Sequence, residues 1–262
     1  MSTASYQDAT VSFSTGAPTN KVRELFFDGS HLLYPSLYFL PTQSTGGLST
    51  KIGVGIAVVG SIIVMGLAAA SISAPWSVFK RSQTQQGVTF ETTYTLTLTQ
   101  TTYCASASGV SSQCASGSYA DADGLKSSVI NSIKATSALS ILVSVVGALA
   151  FAASTLVFLG EVGVSLGPLS AKRSWILLLV IALPLLASIF AAAALGLWAN
   201  ASGKFFDGSA SSNGDSNNGL SSLGFSQTWA TGFIEIVAAL VFAVIASSAA
   251  LATRLRCNLS DY

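Results

Sequence analysis

Charged residues are scarce in this sequence. Only 9% of its 262 residues are Asp, Glu, Lys or Arg, whereas soluble domains usually carry about 25%. So few charges cannot cover an ordinary water-exposed surface, and a formal net charge of +1 provides no basic surface for nucleic acid. The composition therefore predicts a membrane protein that contacts the lipid bilayer and other membrane proteins, with no nucleic acid among its partners.

Residues that carry catalysis or bind metals are nearly missing as well. The one histidine, His31, belongs to no nucleophile–base pairing. The sequence has neither a phosphate-binding glycine loop nor a cluster of metal ligands. We therefore expect no catalytic residues, no enzyme activity, no cofactor and no metal site.

Long apolar runs, by contrast, are abundant. A helix needs about 20 residues to cross the hydrocarbon core of a bilayer. The four runs that reach this length contain no Lys, Arg or Asp, and Glu235 is their only carboxylate: Ile52–Ala74, Ala135–Gly160, Ser174–Trp198 and Trp229–Ala252. They divide the chain into a tail of residues 1–50, a four-span region of residues 51–255 and a tail of residues 256–262.

The tryptophans agree with these boundaries. Each of the four lies at or next to the end of a predicted span, where an indole ring can sit in the headgroup layer with its N–H in contact with water: Trp76, Trp175, Trp198 and Trp229.

The orientation follows from the basic residues and from two cysteines. Four spans place both termini on one side, and the Lys and Arg residues close to span ends number five on that side against four on the other. Cys104 and Cys114, in the first long loop, can be bridged only in an oxidising compartment. We therefore expect both termini in the cytoplasm, and loops 75–134 and 199–228 outside, in the plasma membrane or another secretory-pathway membrane.

The first outer loop has a strand pattern before its cysteines. Over Val88–Thr99, apolar and aromatic residues alternate with Thr and Glu, which predicts a strand of a small antiparallel sheet. Cys104 and Cys114, with nine residues between them, could form a disulfide, remain as two thiols or contribute to a metal site. A metal site would need four ligands, and His31 lies on the other side of the membrane.

A disulfide between neighbouring strands is therefore favoured. Gly109 would supply the tight turn between them, and we expect Cα atoms about 4.4–6.8 Å apart.

These features together resemble the claudin superfamily, which includes claudins, related myelin and channel-accessory tetraspans, amastins and fungal cortical tetraspans. Pro75-Trp76 resembles the Pro-x-Trp after the first span of claudins, Cys104 and Cys114 match their paired loop cysteines, and Gly109 resembles a glycine of the amastin signature. The Gly-Leu-Trp that precedes the first cysteine of claudins has no counterpart here. The resemblance covers roughly residues 50–255.

The predicted fold is thus a membrane α-helical one. It is a left-handed four-helix transmembrane bundle with a small disulfide-tied antiparallel β-sheet formed by the extracellular loops.

Three further residues are candidate sites. Glu235, about 9 Å below Trp229 at helical rise, is either a structural group near the interface or an ion or ligand contact. Cys257, beside basic residues, is a candidate for palmitoylation, the alternative being an unmodified thiol. Asn200 begins the glycosylation sequon Asn-Ala-Ser in the second outer loop, close to the membrane.

Two functions fit this sequence. The first is a structural, organising or adhesion protein that acts through its extracellular sheet and lateral assembly, with other membrane proteins or itself as partner, in cis or in trans. The second is a channel or transporter subunit, pore-forming or accessory, that uses Glu235.

Overall fold

The computed structural model describes residues 48–119, 125–164, 173–209 and 219–259. All of them belong to one compact unit, Gln43–Tyr262. The predicted N-terminal tail lies outside the described residues apart from its last few positions, and so do His31 and the end of the C-terminal tail.

Four long helices form the larger part of the described chain. Each is long and apolar enough to cross a membrane. Their bounds are α1 Leu48–Ser73, α2 Ser127–Glu161, α3 Arg173–Asp207 and α4 Thr231–Leu259. α1 packs against α2 and α4, and α3 packs against the same two helices, so that the four close into a bundle.

Three helices extend about two turns beyond the apolar runs, and α4 does so by continuing past Ala252 to Leu259. α2 begins about two turns before Ala135, and α3 continues more than two turns past Trp198, so parts of the predicted loops 75–134 and 199–228 are helical. These extra turns carry polar residues, which lowers their hydropathy, yet their apolar side chains are covered. Val129 and Ile133 of α2 are fully buried, and Phe205 and Phe206 of α3 pack against the same core.

Small residues allow the helices to approach closely. A Cβ at Gly60 would lie 2.9 Å from the Cβ of Ala246, and one at Gly147 would lie 3.0 Å from the backbone nitrogen of Met65. In lipid the hydrophobic effect does not drive helices together, so close packing of this kind holds apolar helices to one another. Gly66, in contrast, has no atom within 4 Å of its Cβ position and faces away from the bundle.

A five-stranded antiparallel sheet covers one end of the bundle, which we call the sheet end. Its strands are β1 Ser77–Gln85, β2 Val88–Leu96, β3 Gln100–Ala107, β4 Val110–Ser118 and β5 Ser226–Trp229. Their order is β4-β3-β2-β1-β5, so the second loop adds a strand to a sheet built by the first. β2 ends earlier than predicted, because the Thr97 side chain bonds both the N–H and the C=O of Gln100, at 3.0 Å each, and closes a turn.

The disulfide prediction is confirmed. Cys104 and Cys114 are bonded and face each other directly across β3 and β4, with Gly109 at a φ of 85° in the turn between the strands. Their Cα atoms are 4.1 Å apart, below the expected range. Directly facing residues of the closer, non-hydrogen-bonded kind lie about 4.5 Å apart in an antiparallel ladder, so a pair in this position belongs at the short end of disulfide separations.

Candidate functional site

The sheet is fixed to the bundle by a layer that we call the seam, which centres on Trp76 and Trp198. Both side chains are fully buried, and their ring centroids lie 5.2 Å apart. The Trp76 indole N–H donates to the Ser71 carbonyl at 2.7 Å, and that of Trp198 donates to the Ser77 hydroxyl at 2.9 Å. The expected contact of the indole N–H with water is therefore wrong for these two residues, because both side chains are covered by the protein and both N–H groups bond protein atoms.

The other two tryptophans are placed differently. Trp175 is 73% exposed and Trp229 is 43% exposed, so their rings remain on the surface of the described structure. Trp229 stacks on Phe233, with 4.3 Å between ring centroids. These two residues keep the exposure that an interfacial location requires.

A glycine that the sequence pattern did not single out completes the seam. The Gly232 N–H donates to the Pro75 carbonyl at 2.7 Å, and the Ala230 N–H donates to the Trp76 carbonyl at 3.0 Å. These bonds join the end of α1 to the beginning of α4. A Cβ at Gly232 would lie 2.5 Å from Cδ1 of Trp76, which leaves no room for any side chain.

Replacing Gly232 with alanine is therefore expected to destabilise the protein by about 1–3 kcal/mol, the usual cost of overpacking a filled core. Thermal unfolding of the purified protein in detergent measures the effect. Gly66→Ala is the matched control, because this helical glycine has open space around it and alanine is the better helix former. Equal unfolding temperatures for the two variants would contradict the tight contact at Trp76.

Aromatic side chains extend the seam beneath the sheet. Phe79 of β1 stacks on Phe206 of α3, with ring centroids 6.1 Å apart. Tyr94 of β2 lies 5.4 Å from the ring of Phe225, which precedes β5. The sheet, α3 and the described residues that precede β5 therefore share one core.

One buried and one half-buried tyrosine of this core, Tyr119 and Tyr94, are expected to make its stability depend on pH in the alkaline range. Burial raises the pKa of Tyr119, whose hydroxyl donates to the Thr97 carbonyl at 2.8 Å. Burial and, secondarily, the charge of Tyr103 raise the pKa of Tyr94. Because the folded-state pKa exceeds the unfolded value of about 10, the stability that neutral Tyr119 contributes is present below that pH and falls as the pH rises above it.

We expect Tyr119→Phe to weaken the pH dependence of unfolding between about pH 9 and 11. At neutral pH the loss of the hydroxyl bond should cost about 0.5–1.5 kcal/mol. Unfolding temperatures of wild type and variant across this pH range give both quantities. If the unfolding temperatures of wild type and variant change with pH in parallel, Tyr119 does not couple folding to protonation.

The glycosylation candidate lies on a helix and not in a loop. Asn200 is exposed on α3, but Ser202 of the same sequon is 1% exposed. The Ser202 hydroxyl donates to the Ala199 carbonyl and accepts from the Gln227 side-chain amide, at 3.3 Å each. In the folded protein this serine joins α3 to β5, and modification of Asn200 stays a prediction.

The most accessible part of the sheet is β4. All nine of its residues are exposed, none is charged and none is proline. In the described part of the chain β4 pairs with β3 alone and so forms an edge of the sheet. The 4.1 Å Cα separation assigns Cys104 and Cys114 to the non-hydrogen-bonded kind of pair, so the backbone groups of Cys114 point away from β3. By alternation, those of Ser116 do the same, whereas a register shift relative to β3 interrupts the alternation at Ser111 and Ser112.

Glu235 lies in the second turn of α4, within the part of the helix that could cross a membrane. One of its carboxylate oxygens, Oε2, is buried and has no hydrogen-bond partner among the described residues. No group of three or more His, Cys, Asp or Glu side chains that could hold a metal ion is found in the described ranges. In the described part of the chain, Glu235 therefore belongs to no cluster of acidic or metal-binding side chains.

Cys257 falls within α4, which continues to Leu259, and its side chain lies outside the described residues. Its palmitoylation stays a prediction. Pro75 and Trp76 come together with Gly232 in the seam, whereas Cys104, Gly109 and Cys114 lie in the β3–β4 hairpin.

Comparison with known proteins adds no family assignment. No family model matches this chain, and no curated protein matches it.

Proposed function

We propose that this protein is a structural tetraspan of the cell surface that assembles with further copies of itself through the free edge of its sheet. The observation that carries the proposal is the exposed β4 strand, presented by a sheet that the seam holds rigidly on the bundle. Catalysis has no part in the proposal, because β4 and the seam offer backbone groups and packing and no reactive side chain.

A second copy of β4 suits this edge. Edge strands that avoid pairing usually carry Lys, Pro or a bulge. β4 has neither of the two residues, and its register shift lies beside the turn, so residues 113–117 remain regular. An antiparallel pair with its twofold axis at Ala115 would set Cys114 of one copy opposite Ser116 of the other, both in the regular part of β4. The outward backbone groups of these residues would then form hydrogen bonds, and no charges would meet across the axis.

The orientation and family remain part of the same proposal. We place the sheet end outside the cell, where an oxidising compartment maintains the disulfide, with both termini in the cytoplasm and the four helices crossing the membrane as a left-handed bundle. The four apolar helices, the sheet made by both loops and the bonded cysteine pair support membership of the claudin superfamily. Lateral assembly and adhesion are the roles that this resemblance implies.

Ser116→Pro tests the assembly. The Ser116 N–H points away from β3, so proline should leave the β3–β4 ladder intact while removing a donor from the free edge. We expect the wild type to migrate as a dimer or larger assembly on native gels in mild detergent, and Ser116→Pro to migrate as a monomer. The matched control is Ser116→Thr, which keeps the donor and should assemble normally.

Two differently tagged copies of the protein distinguish pairing within one membrane from pairing between two membranes. Co-purification from one cell type indicates pairing within a membrane, and co-purification only after two cell types are mixed indicates pairing between membranes. A Ser116→Pro variant that keeps both the wild-type unfolding temperature and the wild-type assembly would refute pairing at β4.

A channel or transporter subunit is the second candidate, and the buried, unpartnered Oε2 of Glu235 is the observation that favours it. An ionisable group within a membrane span commonly marks an ion pathway. Conductance across bilayers that contain the purified protein, compared between wild type and Glu235→Gln, tests this function. A selective current that the substitution abolishes would establish it over a purely structural role.

A further inference from the structure

Most buried hydroxyls of the helices donate to a carbonyl of their own helix. Ser71 bonds the Ala68 carbonyl at 2.8 Å, Ser140 bonds that of Thr136 at 3.0 Å, and Thr253 bonds that of Ala249 at 2.9 Å. Ser61 and Ser154 differ, since their hydroxyl oxygens are buried and have no partner among the described residues. Their side chains are 1% and 0% exposed, respectively.

These two serines lie on facing sides of α1 and α2. The register of the two helices is set by the Ser144 hydroxyl, 3.4 Å from the Met65 carbonyl, and by the close approach of Gly147 to the same residue. Continued along the antiparallel pair, this register brings Ser61 opposite Ala150 and Ser154 opposite Ala57. All four residues are almost fully buried. The two serines are therefore offset by one helical turn, about 6 Å along the axis.

We propose that a water molecule binds between α1 and α2 and bridges the hydroxyls of Ser61 and Ser154. Two hydrogen bonds of about 2.8 Å let one water join oxygens up to about 5.6 Å apart. Each serine side chain leans toward the N-terminus of its own helix, and in this antiparallel pair that brings the two hydroxyls closer than the offset of about 6 Å between their Cα levels. A buried polar group surrounded by lipid-spanning helices gains from any partner, and water both donates to and accepts from hydroxyls.

Water is the ligand that this chemistry favours over a metal ion. The site offers neutral hydroxyl oxygens, whereas Ca²⁺ and Mg²⁺ sites are built around carboxylates. Glu235 is not near, because the contact of Gly60 with Ala246 sets α1 and α4 in a register that brings Glu235 level with Ser71, ten residues from Ser61. The site thus couples two helices through a neutral bridge inside the bundle.

A double-mutant cycle tests the bridge on the full chain in detergent. Because the water would lose one partner in each single variant, Ser61→Ala and Ser154→Ala are each expected to lower the unfolding temperature by about 2–4 °C. The double variant should lower it no further than either single change, because no buried hydroxyl is then left unbonded. Ser140→Ala is the control, since its hydroxyl already bonds Thr136, and it should combine additively with either change.

An experimental density map gives the direct readout and does not depend on the variants folding. A solvent peak within about 3.2 Å of both hydroxyl oxygens is expected. Additive effects of the two alanine substitutions, or a map in which each hydroxyl bonds the carbonyl four residues earlier in its own helix and no peak joins them, would overturn the proposal.

Discussion

Replacing Trp76 with alanine is expected to lower the free energy of unfolding by about 3–5 kcal/mol, the range for removing a fully buried tryptophan. The side chain has no exposed surface, packs against Trp198 and Phe233, and donates to the Ser71 carbonyl. Its loss would open a cavity where α1, β1 and α4 meet. Since ordinary domains are stable by only about 5–15 kcal/mol, much of the expressed variant should fail to fold.

Thermal unfolding in detergent and the yield of monodisperse protein measure this effect. Trp175→Ala is the matched control, because this tryptophan also lies at a helix end yet is 73% exposed. The control should retain the wild-type unfolding temperature in detergent. If both variants lose a similar amount of unfolding temperature, tryptophan at these helix ends stabilises the protein through contact with detergent or lipid. The seam would then not be the contact that joins the sheet to the bundle.

Removing the disulfide is expected to have the second largest effect. The bond closes a loop with a sequence separation of 10, and the chain-entropy relation gives a stabilisation of about 3 kcal/mol for a loop of this size. β4 has no other strand neighbour than β3 in the described part and buries none of its side chains. Little else therefore opposes separation of this strand from the sheet.

The double variant Cys104→Ser/Cys114→Ser should lose β4 from the sheet before the bundle unfolds. Limited proteolysis detects this as cleavage between β3 and β4 under conditions where the wild type is resistant, and the assembly that depends on β4 should be lost with it. Cys257→Ser is the control and should remain resistant. Proteolysis at wild-type rates in the double variant would show that the hairpin is held by contacts other than the disulfide.

Local patterns predicted those parts of the fold that depend on near neighbours in the chain. Uninterrupted apolar runs identified the four helices, because the residues around the whole circumference of a span face either lipid or a neighbouring helix. The alternation that begins at Val88 identified β2, and Gly109 between Cys104 and Cys114 identified the hairpin. In each case the signal and the structure lie within some twenty residues.

The remainder depends on contacts between distant residues. β5 has only four residues, too few for a recognisable alternation. It pairs with β1, which lies about 150 positions earlier, and no local pattern indicates such a distant partner. Nothing in the sequence around Ser77 indicates that its hydroxyl accepts a hydrogen bond from Trp198. A tryptophan at a span end can face headgroups or a covering sheet, and composition does not distinguish the two. The need for glycine at position 232 becomes visible only when Trp76 is seen to fill the space that a side chain would occupy.

The side of the membrane on which the sheet lies is the claim from which the proposed assembly follows, and labelling of intact cells with a membrane-impermeant maleimide tests it most directly. Gln85→Cys adds a thiol at an exposed position at the end of β1. We expect this thiol to react on intact cells, Cys104 and Cys114 to react only after an impermeant reductant, and Cys257 to react only after the membrane is permeabilised. Reaction of Cys257 on intact cells while the thiol introduced at position 85 stays protected would invert the topology and contradict assembly at the cell surface.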